Sequence, residues 1–470
     1  MLKSTFQCFL FKEVHMVDYS IGKISEIVHG RLQGDPEIVI HGVITDSRKL
    51  TSDELFVPIK GERFDGHDFV RGLFEKGLKA SFWQNDHKER PEGNLIIVDN
   101  VERALQQLST YWRYDIKAKV IGVTGSSGKT STKDIIASVL SVKYRVHKTS
   151  GNQNNEIGIP LTLLATDRED DFSVVEMGIS DINEMIPMVD IVDPDYTVVT
   201  NISPAHILKF KSIDTIVREK CLINCKLKDG VCFFANEAYG LKKEIRSQKL
   251  RNRPVSYGFD SDADLVIEKC EFAENGMRFK TDWFDEWFDL PILGRHQVIN
   301  ACSGIAIGKK FGLSYEEIQE GLSKVTLTVH RLQIRRINGA TVIDDTYNSN
   351  PGSLKAALEL LSAYDEKYDK YAVLGDMLEL GDESDSLHAG IGDSIDFNRF
   401  RDTYLLGEEM KNLEDNLKRQ NISCHHYSDR SELLEDLKQI TRENSIILFK
   451  ASNGLRFYDL ISDLEAAYGN

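Results

Sequence analysis

The sequence predicts an α/β architecture, and three observations carry that expectation. Short apolar runs of strand length alternate with helical patterns from Val120 onward: Phe172-Ser-Val-Val-Glu176, Tyr196-Thr-Val-Val-Thr-Asn201 and Val231-Cys-Phe-Phe-Ala235. Polar residues stand at the ends of these runs, Glu176 at one and Asn201 at another, with His206 a few residues on. A glycine-rich turn, Gly125-Ser-Ser-Gly-Lys-Thr130, sits between the apolar run Lys119-Val-Ile-Gly-Val-Thr124 and the helical pattern Asp134-Ile-Ile-Ala-Ser-Val-Leu140. Alternation of this kind builds a parallel sheet covered by helices on both faces, and such sheets bind ligands beyond the carboxyl ends of their strands.

Taken in order, the chain reads as three domains. Residues 16–117 form a small mixed α/β domain whose marked feature is Thr45-Asp46-Ser47-Arg48, after the apolar Val43-Ile44. Hydroxyls, a carboxylate and a guanidinium at one strand end suit a ligand carrying phosphates, and equally make an ordinary turn. Residues 118–328 form the central domain, a doubly wound, mostly parallel sheet that carries the glycine-rich turn. A second alternating series runs through Ala340-Thr-Val-Ile-Asp-Asp345, the helical stretch Ser353 to Leu361, Tyr371-Ala-Val-Leu-Gly-Asp376 and Ser445-Ile-Ile-Leu-Phe-Lys450. It predicts a C-terminal, Rossmann-like α/β domain over 329–470. The acidic cluster from Asp282 to Asp289, interleaved with Trp283, Phe284, Trp287 and Phe288, reads as a solvated strand pair.

A formal charge of −16 argues against nucleic acid or an anionic membrane as partner, while leaving room for a local basic pocket. No apolar run reaches transmembrane length, so no membrane insertion is expected. The seven cysteines, Cys8, Cys221, Cys225, Cys232, Cys270, Cys302 and Cys424, show no paired metal-site spacing. Cys221, Cys225 and Cys232 read as small buried hydrophobes, and a reducing, cytoplasmic setting fits. The first fifteen residues are too short in their apolar part and too mixed in charge for a signal peptide, which makes Met16 a candidate start.

The glycine-rich turn has the layout of a phosphate-binding loop. Small residues let consecutive backbone N–H groups turn inward around a polyphosphate, the helix N-terminus adds partial positive charge, and Lys129 reaches the outer phosphates. Thr130 would offer its hydroxyl to magnesium, with Glu176 and His206 as further hard or borderline ligands. Two amide-rich stretches, Gly151-Asn-Gln-Asn-Asn155 and Asp345-Thr-Tyr-Asn-Ser-Asn-Pro351, could read sugar hydroxyls and carbonyls or serve as turns.

Together with Glu176-Met-Gly178, Asn201-Ile-Ser-Pro-Ala-His206, Gly294-Arg-His296, Asn300-Ala301 and Gly375-Asp-Met-Leu-Glu-Leu-Gly381, these stretches resemble the Mur ligases of bacterial cell-wall synthesis, in motif order from about Ser20 to the C-terminus. The Tyr-Asn-Ser-Asn-Pro and Gly-Asp-Met-Leu-Glu-Leu-Gly stretches are similar to those of the dipeptide-adding branch. The resemblance implies a magnesium- and ATP-dependent ligase that activates the terminal carboxylate of UDP-N-acetylmuramoyl-tripeptide as an acyl phosphate. The amine of D-alanyl-D-alanine then displaces phosphate. A Mur-like ligase for a different amine, or a P-loop kinase, is the alternative.

By resemblance, Gly125, Ser126, Ser127, Gly128, Lys129, Thr130 and Ser131 hold ATP, with Asn300 at the adenine, Asp345 at the ribose and Arg331 at the γ-phosphate. Thr130 and Glu176 would serve one magnesium and His206 the second. Lys220 aligns with a lysine that is carbamylated in the family, although its own surroundings read as a solvated helix lysine. Lys129, His206, Lys220 and Arg331 are thus the implied catalytic set. Thr45, Ser47 and Arg48 would hold the UDP end, and Asn152, Asn154 and Asn155 the sugar-peptide part, with Tyr347 and Asn348 also facing substrate. The chain departs from the family pattern at Lys211, where glycine is usual. It departs again at Lys450-Ala-Ser-Asn453, where Lys-Gly-Ser-Arg is usual, and Arg456 is the nearest replacement for that arginine. A monomer that closes its third domain over bound ATP is expected.

Overall fold

The computed structural model describes residues 18–51, 53–61, 64–273 and 276–469. Cys8, Met16 and the expectations for the first fifteen residues lie outside the described residues. The chain forms two compact units. The first comprises the described residues up to Val120, Arg145–Val175 and Asp190–Asp193, and the second comprises Ile121–Tyr144, Glu176–Val189 and the chain from Pro194 on.

In the first unit, helix Val101–Asp115 places Ala104, Leu105, Leu108 and Trp112 at helical spacing on one face, which buries against Ile24, Ile40, Phe82 and Ile96. Asn100 caps it by accepting from Arg103 N at 2.7 Å, and the Trp112 indole donates to the Thr166 carbonyl at 3.1 Å. A five-stranded sheet runs in the order Arg31–Gln33, Leu95–Val98, Ala80–Gln84, Leu55–Phe56, Val43–Ile44, and only its first pair is antiparallel.

The second unit holds two sheets. In the first, Lys119–Thr124, Tyr196–Val199, Cys232–Ala235, Val255–Gly258 and Leu265–Ala273 lie side by side and parallel; Gly276–Thr281 and Trp287–Leu290 extend the edge as antiparallel strands. Val198, Val199, Phe233 and Phe234 are all buried, which is why these strands read as continuous apolar runs rather than alternating ones. The second sheet orders Gln333–Ile337, Ala340–Asp344, Ser445–Lys450, Asp369–Gly375, Asp402–Leu406 and His425–Tyr427, parallel except for the first pair. Among the described residues no helix is long and apolar enough to cross a membrane.

Two helices begin earlier than their apolar pattern. Helix Lys129–Leu140 opens with a polar first turn, and helix Pro351–Ala363 starts at a proline behind Asn350, whose side chain accepts from Ser353 N at 2.9 Å. Periodicity is blind to such turns: the first is polar although Thr130, Ser131, Thr132 and Lys133 are buried, and the second is set by the Asn350 cap and the proline. The acidic cluster supplies a turn and one strand of a pair, Trp287–Leu290, whose partner Gly276–Thr281 precedes it: Phe279 and Phe288 stack at 5.5 Å, and Gln319 donates to Asp289 O (3.0 Å) and accepts from its N (2.9 Å). Cys221 and Cys232 are buried as expected, but Cys225 is exposed. The helix Ile213–Cys221 ends before it, and the 3-10 turn Leu222–Asn224 carries residue 225 off the buried face.

Leu448, fully buried at the centre of the C-terminal sheet, is expected to cost about 2–5 kcal/mol of unfolding free energy on Leu448→Ala, measured by denaturant titration.

Candidate active site

The strand Lys119–Thr124 delivers the chain to Gly125, whose φ of +148° and whose missing Cβ are both required. A methyl there would lie 1.9 Å from Thr200 Oγ1. Thr200 Oγ1 donates to the Ser127 carbonyl at 2.7 Å, Ser126 N donates to Asn201 O at 2.8 Å, and Ser126 Oγ donates to Ser203 O at 3.0 Å. The end of the neighbouring strand thus moulds the loop. Gly128, at φ +84°, turns it into helix Lys129–Leu140, whose first-turn amides have no acceptor within the helix and so point at whatever anion sits before them.

Lys129 Nζ donates back to the carbonyls of Gly125 (2.9 Å) and Ser126 (3.4 Å), and burial lowers its pKa. Thr130 Oγ1 lies 3.2 Å from Glu176 Oε1, to which it donates, and accepts from Arg331 Nη2 at 3.3 Å. Arg331 therefore already meets the loop. Its guanidinium lies 3.9 Å from the Tyr347 ring centroid, and its buried Nε has no hydrogen-bond partner among the described residues.

Residues 330 to 332 are clamped to present that side chain. His330 Nδ1 lies 2.7 Å from Asp344 Oδ2, Leu332 N donates to Asp345 Oδ1 at 3.3 Å, and Tyr347 N donates to His330 O at 3.1 Å. Asp345 also accepts from the buried Lys450 Nζ at 2.6 Å.

Ser127, Gly128, Ser131, Asn201, Asn300, Arg331, Asp345 and Lys450 all border one pocket, which encloses about 880 Å³ of empty space, part of it open to solvent. That is a volume suited to a nucleotide. Asn300 packs its amide against Gly128, where a Cβ would come 2.9 Å from its Oδ1. The residues fit a polyphosphate and a hard divalent cation. The Cβ-less turn leaves room for phosphate, the unpartnered Arg331 Nε is a donor in waiting, and Thr130 with Glu176 forms an all-oxygen pair.

His206 stands at φ +54° with Nδ1 2.5 Å from Glu379 Oε2. Lys220 is not a solvated helix lysine. It is 1% exposed, it makes no hydrogen bond or ion pair among the described residues, and burial, then the charge of Lys129, lowers its pKa well below the ordinary lysine value. The chain pattern could not reveal this because its neighbours Arg218 and Glu219 are polar. Lys211 occupies a left-handed position at φ +64°, the physical reason a glycine suits that place. Sequence reasoning missed Lys133, buried at 1% exposure with Nζ 4.0 Å from Glu176 Oε2, and it missed Glu379.

Other candidates make local contacts as well. In the first unit, Arg48 pairs with Asp46 at 2.8 and 2.9 Å and holds that carboxyl down at about 2, while Ser47 opens a 3-10 turn after Thr45. Asn155 Oδ1 accepts from Gly158 N at 2.9 Å at the start of helix Gly158–Leu164, and Asn154 N donates to Asn152 O at 2.7 Å. The cluster Asp65, His67 and His87 is equally structural: His67 Nδ1 meets Asp65 at 2.7 Å while Nε2 accepts from Gln84 N at 3.2 Å, which uses both nitrogens. In the second unit, Asn348 Oδ1 accepts from Ser349 N at 2.9 Å, and Arg456 pairs with Asp459 at 2.8 Å at the start of helix Phe457–Ala467.

His296 borders the pocket, and burial pushes its pKa from 6.5 down to about 4. The folded chain keeps it neutral where an unfolded one takes up a proton, so its contribution to stability is complete above pH 6.5 and is lost as pH falls towards 4. Tm is expected to fall across that window, and to fall less in His296→Gln; equal losses in the two proteins would contradict this.

Three family descriptions match the chain: "Mur ligase family, catalytic domain" over residues 39–113, "Mur ligase middle domain" over 123–308 and "Mur ligase, glutamate ligase domain" over 330–453. The UDP-N-acetylmuramoyl-tripeptide--D-alanyl-D-alanine ligase of Bacillus subtilis is 37% identical over 96% of this chain and 99% of its own length. That of Escherichia coli is 30% identical, with the same coverage. Among solved structures, MurF from Acinetobacter baumannii superposes with a TM-score of 0.85 at 27% identity, covering 96% of this chain and all of that one. MurF from Thermotoga maritima, solved in complex with ADP, gives 0.78 at 25% identity, covering 90% of this chain and 97% of that one. Matches of this extent, in all three segments and in order, place the chain in the Mur ligase family.

Proposed function

We propose that this chain is the ATP-dependent amide ligase that joins D-alanyl-D-alanine to UDP-N-acetylmuramoyl-tripeptide through an acyl phosphate, a step of peptidoglycan precursor synthesis in the cytoplasm. The reaction type is supported by one observation above all: Arg331, which opens the C-terminal series, reaches Thr130 of the phosphate loop, so both parts complete one anion site. The choice of substrates follows the names of the relatives, which match along nearly their whole length.

In this reading the work divides over 16–117 for the UDP end, 118–328 for ATP and 329–470 for ligation, within a monomer. The loop from Gly125 to Ser131 cradles the phosphates, with Lys129 turned from its own carbonyls onto the β and γ groups. Asn300 and Asp345 hold the nucleoside, Thr45, Ser47 and Arg48 the UDP, and Asn152, Asn154, Asn155, Tyr347 and Asn348 the rest of the acceptor. When bound, ATP with magnesium supplies the phosphoryl group and neutralises the charge that gathers as a carboxylate attacks it. Thr130 and Glu176 are the oxygen ligands that would hold one magnesium, and His206 the nitrogen ligand that would hold the second. Lys129 and Arg331 stabilise charge that develops on the transferring oxygens, where fixed donors act most strongly. Lys220, withdrawn from water with a lowered pKa, is suited to exist as its carbamate, whose anionic oxygens belong beside a cation better than an ammonium does.

The purified chain is expected to release ADP and phosphate with UDP-N-acetylmuramoyl-tripeptide and D-alanyl-D-alanine, and to yield the amide by mass spectrometry. Release only with another amine would overturn the substrate choice, and a stable phosphorylated acceptor would instead mark a kinase. Lys129→Ala is expected to lower turnover by about 10²–10³-fold. Carbon-13 bicarbonate is expected to give a carbamate signal in the wild-type spectrum that is absent from Lys220→Ala.

A further inference from the structure

The stretch Gly375–Gly381 has no part in the reading above, yet residues 376 to 378 are each tied to a neighbouring element. Asp376 Oδ1 accepts from Met410 N at 2.9 Å, Met377 N donates to His388 Nε2 at 2.9 Å, and Leu378 N donates to Ser452 Oγ at 2.9 Å. Ser452 N returns to Asp376 O at 3.2 Å. At the far end Gly381, at φ +59°, lies so close to Leu208 that a Cβ would come 2.6 Å from its Cδ1. Held at both ends, the loop places Glu379 in the left-handed region at φ +66°, where a non-glycine residue is strained, and sets its carboxylate 2.5 Å from His206 Nδ1. His206 is itself left-handed, at φ +54°.

An exposed pair of this kind contributes little to stability, and the Glu379 side chain is 65% exposed. Two strained residues held face to face by a pinned loop call for another account, since such strain collects at functional sites. A carboxylate on one ring nitrogen of histidine fixes the tautomer and the ring plane, and leaves the other nitrogen with its lone pair for a metal. His206 Nε2 makes no hydrogen bond among the described residues.

We propose that Glu379 is a positioning residue: it accepts the Nδ1 proton of His206 and so aligns Nε2 as ligand for the second divalent cation. The inference rests on His206 being a metal ligand, as in the reading above. It adds that the metal site is incomplete without the C-terminal series, so that docking of that series and metal binding favour each other.

The test is a manganese titration of the full-length chain, followed by electron paramagnetic resonance in the presence of a non-hydrolysable ATP analogue. Wild type is expected to hold two ions. Glu379→Ala is expected to weaken one site by about 10–100-fold, and Glu379→Gln, whose amide oxygen still accepts the Nδ1 proton, to recover most of the loss. Adding Glu379→Ala to His206→Ala is expected to change nothing further, because the two act through one imidazole. Manganese binding by Glu379→Ala equal to wild type would overturn the proposal. So would a rise in KM for D-alanyl-D-alanine with manganese binding unchanged, which would make Glu379 a contact of the incoming ammonium. If His206→Ala alone leaves both manganese sites intact, the underlying ligand reading fails and the proposal with it. An unchanged thermal unfolding curve separates all of these from misfolding.

Discussion

Positive charge withdrawn from water is the constraint that organises this molecule. Lys220 and Lys450 are buried outright and Lys129 largely so, and burial lowers the pKa of each. Arg331 joins them with an unpartnered Nε, while Glu176 and Asp345 supply the opposing carboxylates within reach. Cations are costly to hold in such surroundings unless an anion completes the site. A chain whose formal charge is −16 has therefore concentrated its cations where a polyphosphate restores the balance. The glycine turn, the Thr200 buttress and the clamp on residues 330 to 332 all serve to keep those cations facing one another.

Part of the backbone strain lies in the same region. His206, His330, Leu332 and Glu379, four of the non-glycine residues with left-handed φ, belong to the proposed site or adjoin one of its residues. Such conformations persist only where surrounding bonds dictate them. The Asp344 and Asp345 carboxylates do so for residues 330 to 332, and the His388 and Ser452 anchors do so for the loop of Glu379. The two clamps come from the C-terminal sheet and its flanking helices, so this sheet shapes the site as much as the phosphate loop does.

Much of this was legible in the chain. Strand Phe172–Glu176 and strand Ser445–Lys450 fall where apolar runs end in a charged residue, and Thr130 bonds both Glu176 and Arg331, residues that the motifs singled out. What escaped follows from physics that a local pattern does not carry. Lys220 and Lys133 sit among polar neighbours on their helices, and tertiary packing rather than periodicity buries them. Glu379 reads as one acid among several until the fold returns it to His206, far away in the chain. Asn155, Asn348 and Asn350 could read as ligand-facing amides or as turn residues, and in this structure each side chain bonds backbone close by.

The Trp287–Leu290 strand closes one side of the largest sheet, where a bare ladder of amides and carbonyls would invite another chain to add itself. Gln319 occupies part of that ladder by bonding both backbone groups of Asp289, and carboxylates crowd the hairpin from Asp282 on. The acidic aromatic cluster is thus a guard on a sheet margin. Bonds and charges placed there disfavour the addition of a further strand at that margin.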